Sequence, residues 1–486
     1  MKFKEQTQFV KFSCTICLLS LLSFQVNSQS VVFENGSPSP GTDVGYSVME
    51  APDGTLILVG STTTDTEGLT DIKVSKLTAG GEEIWAVTHG GFNNDFPNSG
   101  IVLEDGSFVI VGTTGSFTDT PSRDVYLLKM NPNGEILWTH SYGGGGTDEG
   151  TGIKQTPEGD FIITANTESF GAGEMDGWLL KTDSDGNLLW DQTFGGSDID
   201  TFAEVDVAAD GGYILTGGTY SFSTGSEEDL WLIKTDMSGN EIWTQTFGVA
   251  DRIDSGRDVA ATADGYVAVG IYDNDPANAP QATGEALFIK VDLDGNLVWN
   301  QSVTGNFRVE GFSVYASQGE GLLICGTKVE SPTSASFWVA KANAAGEIIW
   351  EVEQGQPATV GFALDVIQTV NGDVVAAGFS GLTQSSTQDI HVLRLSDQTL
   401  SVSEGPQTIE FVAMPNPTQG KLKVITSKNF TECTLQLRDA TGKLVKSRKF
   451  NSGEEPEFDL SVVPAGMYLL QVITAQGVGT ARIVKN

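Results

Sequence analysis

The sequence predicts an all-β chain: a seven-bladed β-propeller followed by a small Ig-like β-sandwich. Three observations carry that expectation. Trp85, Trp138, Trp190, Trp243, Trp299 and Trp350 recur at intervals of 53, 52, 53, 56 and 51 residues, and a period near fifty residues marks a repeat architecture. Seven turn pairs keep the same phase: Asp53-Gly54, Asp105-Gly106, Glu158-Gly159, Asp210-Gly211, Asp264-Gly265, Glu320-Gly321 and Asn371-Gly372. No segment shows a helical hydrophobic period, whereas short apolar runs between turn residues recur throughout.

The first 28 residues read as a secretory signal peptide. Lys2, Lys4 and Lys11 precede a mainly apolar run from Cys14 to Phe24, and Val26-Asn27-Ser28 supplies small residues before a cut between Ser28 and Gln29. The apolar run is too short to span a bilayer comfortably. No other segment is long and apolar enough, so no transmembrane span is expected in the mature chain.

Residues 29–397 read as the propeller. Acidic residues or Asn followed by Gly suit tight hairpin turns that need positive φ. After each turn comes an apolar strand, such as that from Phe108 or Tyr213, then a second one, such as that from Asp124, Asp176 or Asp229. A second turn, with Gly134, Gly186, Gly239 or Gly295, leads into the Trp strand. Four short antiparallel strands in about fifty residues make a propeller blade. In Asp229–Lys234 both faces are largely apolar, which places that strand inside a blade stacked between neighbours. The Glu241–Phe247 strand is mixed and reads as the outer one, with Trp243 buried between blades. Counting back from Asp53 by 20 residues, the offset from Trp85 to Asp105, Trp138 to Glu158 and Trp190 to Asp210, reaches Phe33, a seventh aromatic. Ring closure then pairs the Phe33 strand with the Asp389–Leu395 strand.

The phrase ending at Trp190, Lys-Thr-Asp-Ser-Asp-Gly-Asn-Leu-Leu-Trp, resembles the tryptophan-docking repeat of quinoprotein-type propellers. With the recurring Asp-x-Trp-Leu-x-Lys strand, it is also similar to propeller repeats of secreted Bacteroidota proteins. The resemblance implies the fold and names no ligand.

Residues 398–408 read as a polar linker and 409–486 as the sandwich. Pro415-Asn416-Pro417-Thr418, Asp439 to Lys443 around Gly442, Asp459-Leu460-Ser461, Pro464 to Tyr468 around Gly466, and a close at Lys485 occur in that order. This set resembles the type A C-terminal sorting domain of type IX secretion. The resemblance implies Sec export, then handling of the folded tail by the outer-membrane translocon and a sortase-like processing step. It also implies release or surface attachment of the passenger. From the residues alone, the prolines stiffen the chain ahead of the Lys421 strand, the glycines serve turns and Tyr468 buries its ring.

Charge divides the same way. The net −36 separates into +2 over residues 1–28, −41 over 29–404 and +3 over 405–486. An acidic propeller repels phosphate, so nucleic acid is not expected as a partner. Cys325 and Cys433 each lack a partner in their own region and read as buried thiols.

Catalytic signals are sparse. His89 occupies the slot that Tyr142, Phe194 and Phe247 fill in sister units, so it reads as a packed ring. His140 and His391 also fall in repeat strands, and no two histidines have metal-ligand spacing. The turns Asp183–Asn187 and Asp292–Asn296 echo part of a calcium loop but lack its closing Glu, and read first as hairpin turns. No cofactor is identified, with calcium at these turns the alternative. Asp251, Arg252, Asp254, Arg257 and Asp258 crowd one inter-blade connection, with Arg308 and Glu310 at the next. They form the candidate binding rim, set against a structural salt-bridge network. The leading expectation is a non-catalytic binding or adhesion module for a glycan or protein. The alternatives are a propeller enzyme acting on extracellular polymers and a structural matrix protein.

Overall fold

The computed structural model describes residues 30–486, except 37–39, 65, 251, 274–283, 306, 318–320, 356–358, 383–386, 397–410, 427–431, 439–442, 452–456 and 475–476. The signal-peptide cut at Ser28 and Gln29, the linker and Gly442 therefore lie outside the described residues. So does most of the long Tyr272–Glu285 segment. The chain divides into two units, Met1–Asp397 and Gln398–Asn486. Among the described residues no helix is long and apolar enough to cross a membrane.

The first blade consists of Asp43–Glu50, Leu56–Thr62, Asp71–Leu77 and Glu83–His89, paired antiparallel in that order. The same unit begins again at Asp95, Asp148, Asp200, Asp254 and Arg308. The seventh blade is Thr359–Gln368, Val374–Leu382, Asp389–Ser396 and then Ser30–Gly36 from the other end of the unit. Phe33 pairs with Arg394 in that closing ladder, as the aromatic phase predicts. The ring therefore closes through backbone hydrogen bonds between its two ends, which leaves no unpaired strand at the join.

Burial follows strand position. Leu56–Thr62, Phe108–Thr114, Phe161–Thr167 and Tyr213–Thr219 are buried at every residue, because blades stack on both of their faces. The fourth strands are largely exposed. The tryptophans lie between blades as expected, but most are less buried than that placement suggests. Trp350 is buried, but Trp85, Trp138, Trp190, Trp243 and Trp299 are only half-buried. Each of these five lies on the outer strand, packs against the edge of a core cluster and covers the next blade's turn glycine. A Cβ at Gly134, Gly239, Gly295 or Gly346 would stand 3.1, 2.7, 2.9 or 2.8 Å from the ring of Trp85, Trp190, Trp243 or Trp299. All four glycines have φ between +78° and +82°, where a side chain is disfavoured.

An acid in the hairpin turn, or two residues after its turn position in the third and seventh blades, has a partner in the same blade. Lys76, Lys181, Lys234 and Lys290 on the third strands reach Asp53, Asp160, Asp210 and Asp264 at 3.2, 3.3, 3.0 and 2.5 Å. Arg394 does the same to Asp373 at 2.9 Å.

In the second unit, a three-stranded sheet contains Phe411–Met414, Lys421–Thr426 and Glu457–Asp459. A four-stranded sheet runs in the order Leu444–Asn451, Glu432–Arg438, Gly466–Thr474 and Gly477–Lys485. Leu422, Val424, Leu435, Phe450, Phe458, Leu470 and Ile483 form the shared core. Cys433 lies in it as a free buried thiol, and Cys325 is likewise buried in the propeller.

Candidate ligand-binding channel

First strands of neighbouring blades touch one another around the ring, including the first and seventh. Each carries a one-residue bulge. The residues left unpaired are Tyr46, Asn98, Thr151, Ala203, Arg257, Phe312 and Leu364. A bulge bends a strand and re-aims a side chain. All seven residues line one cavity of about 940 Å³ in the middle of the propeller.

The residue after each bulge forms a second ring: Ser47, Ser99, Gly152, Glu204, Asp258, Ser313 and Asp365. Several of these tie adjacent blades together. Asp365 accepts from Ser47 Oγ at 3.0 Å and Val48 N at 2.8 Å, and from Ser313 Oγ at 3.4 Å. Asp258 accepts Val314 N at 2.8 Å, and Asp206 accepts Ala261 N at 2.8 Å. Glu204 differs: it accepts from the backbone of its own neighbour, Val205 N, at 3.1 Å. Gly152 brings no side chain, so Glu204 Oε1 and Thr164 Oγ1 converge where a Cβ would otherwise stand. Thr164 Oγ1 is fully buried and has no hydrogen-bond partner among the described residues.

Lys154 is the cation among these carboxyl groups. Burial pulls its ammonium down, but Glu204, Asp206, Asp258 and Asp365 together hold it above its ordinary value. Burial raises Glu204 to about 8, against the pull of Lys154 and with Asp258 and Asp365 adding repulsion. Burial likewise raises Asp258 to about 6 and pushes Asp365 upward. One lysine does not neutralise the set, so protons are retained in the channel near neutral pH.

The candidate rim is split by the fold. Arg257 is exposed and lines the cavity, as does Asp258. Asp254 is fully buried and accepts Val249 N at 2.8 Å. It occupies the place of Asp95, Asp148 and Asp200, which accept Gly91, Gly144 and Gly196 N at 2.9, 2.8 and 2.7 Å. Asp254 is thus a repeat element bracing the connection between blades. Burial raises it to about 6, opposed by the Val249 bond and reinforced by Asp229. Arg252 bonds the hydroxyl of Tyr272 and lies 5.2 Å over its ring. Arg308 pairs with Glu310.

Of the histidines, His89 stacks on Phe117 at 5.2 Å and bonds Tyr126 Oη at 2.7 Å. His140 meets Asp185 O at 2.9 Å, and His391 packs on Phe337. At the two acidic turns, Asp183 and Asp292 accept from Asn187 and Asn296 N at 2.8 Å each, closing the hairpins.

Sequence reasoning did not single out Lys154, Glu204 or Asp365. Their signal was positional: in phase-aligned first strands the residue after the bulge varies between Ser, Gly, Glu and Asp, while the Asp three residues before the bulge recurs in the first five blades.

The sorting-motif residues join the two ends of the sandwich. Asn416 Oδ1 accepts Val484 N at 2.9 Å and its amide donates to Arg482 O at 2.7 Å. Thr418 N donates to Val484 O at 2.8 Å, and Thr418 pairs with the nearly buried Lys485 in a parallel bridge. Pro415 and Pro417 flank Asn416 and are exposed. Tyr468 is half-buried against the core and donates to Pro464 O at 2.9 Å, and Gly466 opens its strand.

Fold and motif together define an exported all-β protein: a repeat propeller with a sorting sandwich. Residues 413–486 match the family described as the secretion system C-terminal sorting domain. Residues 228–399 match a repeat family described as outer membrane protein assembly factor BamB. Residues 228–399 thus carry BamB-like propeller repeats, and residues 413–486 are a type IX sorting domain, which directs the chain to the cell surface or beyond the cell. No curated protein matches it. Similar solved structures include Sqt1 from Chaetomium thermophilum, at 11% identity and TM-score 0.42, covering 94% of this chain and 100% of that one. A GH93 α-L-arabinofuranosidase of Fusarium graminearum has 11% identity and TM-score 0.42, covering 75% and 97%. The propeller domain of the Trilobed protease from Pyrococcus furiosus has 8% identity and TM-score 0.40, covering 74% and 97%.

Proposed function

We propose that the propeller is a non-catalytic binding module whose ligand occupies the central channel, and that the sorting domain delivers it. A signal peptide cut between Ser28 and Gln29 starts that route. The observation that carries the binding reading is the bulge ring. Seven equivalent positions hold Tyr46, Asn98, Thr151, Ala203, Arg257, Phe312 and Leu364, no two alike, around one cavity. Repeats built alike elsewhere diverge where side chains face a shared space. Rigid scaffolds present specificity residues in this way. Asp258 and Asp365 are held by backbone donors of the next blade, which supports a positioned recognition surface.

Glycan and protein arrays with the full chain test this reading. Ala203→Trp fills the channel and should abolish capture while the melting temperature holds. Capture unchanged by the filled channel would overturn the channel reading. Turnover of a captured polymer by the purified protein would replace it with the enzymatic alternative.

A further inference from the structure

We infer that the channel takes an organic cation, a ligand bearing a primary or secondary ammonium group. The inference rests on the channel reading above and narrows its ligand to a chemical class. Six carboxyl-bearing residues line the cavity against two cations, Lys154 and Arg257. Aromatic side chains share the wall: Tyr46, Phe312 and Tyr315. Carboxylates with aromatic faces are the combination that binds ammonium groups, through ion pairing and attraction to the ring. An anionic ligand would meet net repulsion.

A local feature marks where the cation sits. Glu204 accepts a backbone bond from its own neighbour Val205, whereas Asp258 and Asp365 are held by donors of the next blade, so its carboxyl group is the one available to a ligand. Beside it, Thr164 Oγ1 is fully buried without a partner among the described residues, at the gap left by Gly152. Among the described residues no three His, Cys, Asp or Glu side chains gather in a way that could hold a metal ion. An ammonium needs fewer and longer contacts than a metal and fits this dispersed set. Burial raises Glu204 to about 8, so it retains its proton at neutral pH. A bound cation favours the carboxylate and drives that proton out. The step balances as ligand ammonium plus Glu204 carboxylic acid giving the ion pair plus one proton released to buffer.

The test is isothermal titration calorimetry of the full chain with spermidine at pH 7, in two buffers of different ionisation enthalpy. Saturable binding with proton release is expected, weakened by salt. Glu204→Gln should lower affinity about tenfold and abolish the proton release. Lys154→Met, which removes the competing cation, should raise affinity. Phe312→Leu gives an independent reading of the aromatic wall and should weaken binding should Glu204→Gln fail to fold. Absence of spermidine binding, while a neutral or anionic ligand is displaced by Ala203→Trp, overturns the cation inference and leaves the channel reading standing. Spermidine binding that is unchanged by Glu204→Gln, Lys154→Met and Phe312→Leu also overturns it. If no ligand responds to Ala203→Trp, both fall.

Discussion

The ring of Phe33 lies over Gly81 so closely that a Cβ on that glycine would stand 2.5 Å from Phe33 Cδ2. Gly81 has φ +86° and sits in the second hairpin turn of the first blade. Phe33 belongs to the strand that closes the seventh. The contact is the one that each half-buried tryptophan makes with the next blade's turn, here made across the closure of the ring. A phenylalanine twenty residues before the first hairpin turn is therefore the first member of the tryptophan series.

Gly81→Ala and Gly239→Ala should each destabilise the propeller by about 2–4 kcal/mol, combining backbone strain at positive φ with overlap on the facing ring. Gly54→Ala is the control. Its φ is +78° but nothing lies within 4 Å of the added methyl, so about 1 kcal/mol is expected. Denaturant unfolding measures the difference, and equal losses at all three sites would remove the aromatic contact from the explanation.

Phe33→Ala should loosen the closing ladder before the rest of the ring. About 1–3 kcal/mol is expected, below the cost for a fully buried ring because Phe33 is half-buried. Hydrogen exchange should show early loss of protection in Ser30–Gly36 and Asp389–Ser396, with Asp148–Gln155 unaffected.

Stability should depend on pH through Glu204. Its folded pKa, about 8, lies above the ordinary 4.5. The folded chain therefore binds more protons than the unfolded chain between those values, and this contribution is complete below 4.5. It declines as pH rises through about 8, at no more than about 1.4 kcal/mol per pH unit. Asp258, raised to about 6, acts in the same direction over a lower window. Melting curves from pH 5 to 9 should fall for the native chain and flatten for Glu204→Gln. A parallel fall in both would contradict the assignment.

Asn416→Ala should cost the sandwich about 1–3 kcal/mol, since it frees Val484 N and Arg482 O together. Secretion should fall with sandwich stability, read as passenger retained in the periplasm. Deleting residues 409–486 should trap the passenger entirely, and normal secretion of either variant would separate the motif from sorting.

Much of the fold was legible because local rules repeat. Turn glycines, alternating strand faces and the tryptophan interval specified blade number, phase and the Phe33 closure, since each depends on residues within one unit or its neighbour. The extent of tryptophan burial was not legible: a mixed outer strand places the ring between blades, but does not show that one side of it stays open where it lies across a neighbour's turn. Asp254 and Arg257 looked alike in sequence, three residues apart. One is a buried brace and the other faces the cavity, because the bulge between Gly256 and Asp258 changes the direction of the strand.

The sequence by itself determined the repeat, the ring, the sorting motif and the acidic character of the propeller, all set by periodicity, composition or a contiguous phrase. Only the tertiary structure decided that Lys154, Glu204, Asp258 and Asp365 share one channel. Those residues lie up to 211 positions apart, and only ring closure places their strands around a common axis. Their shifted protonation follows from that enclosure, where burial and mutual repulsion act on groups that are independent in the unfolded chain.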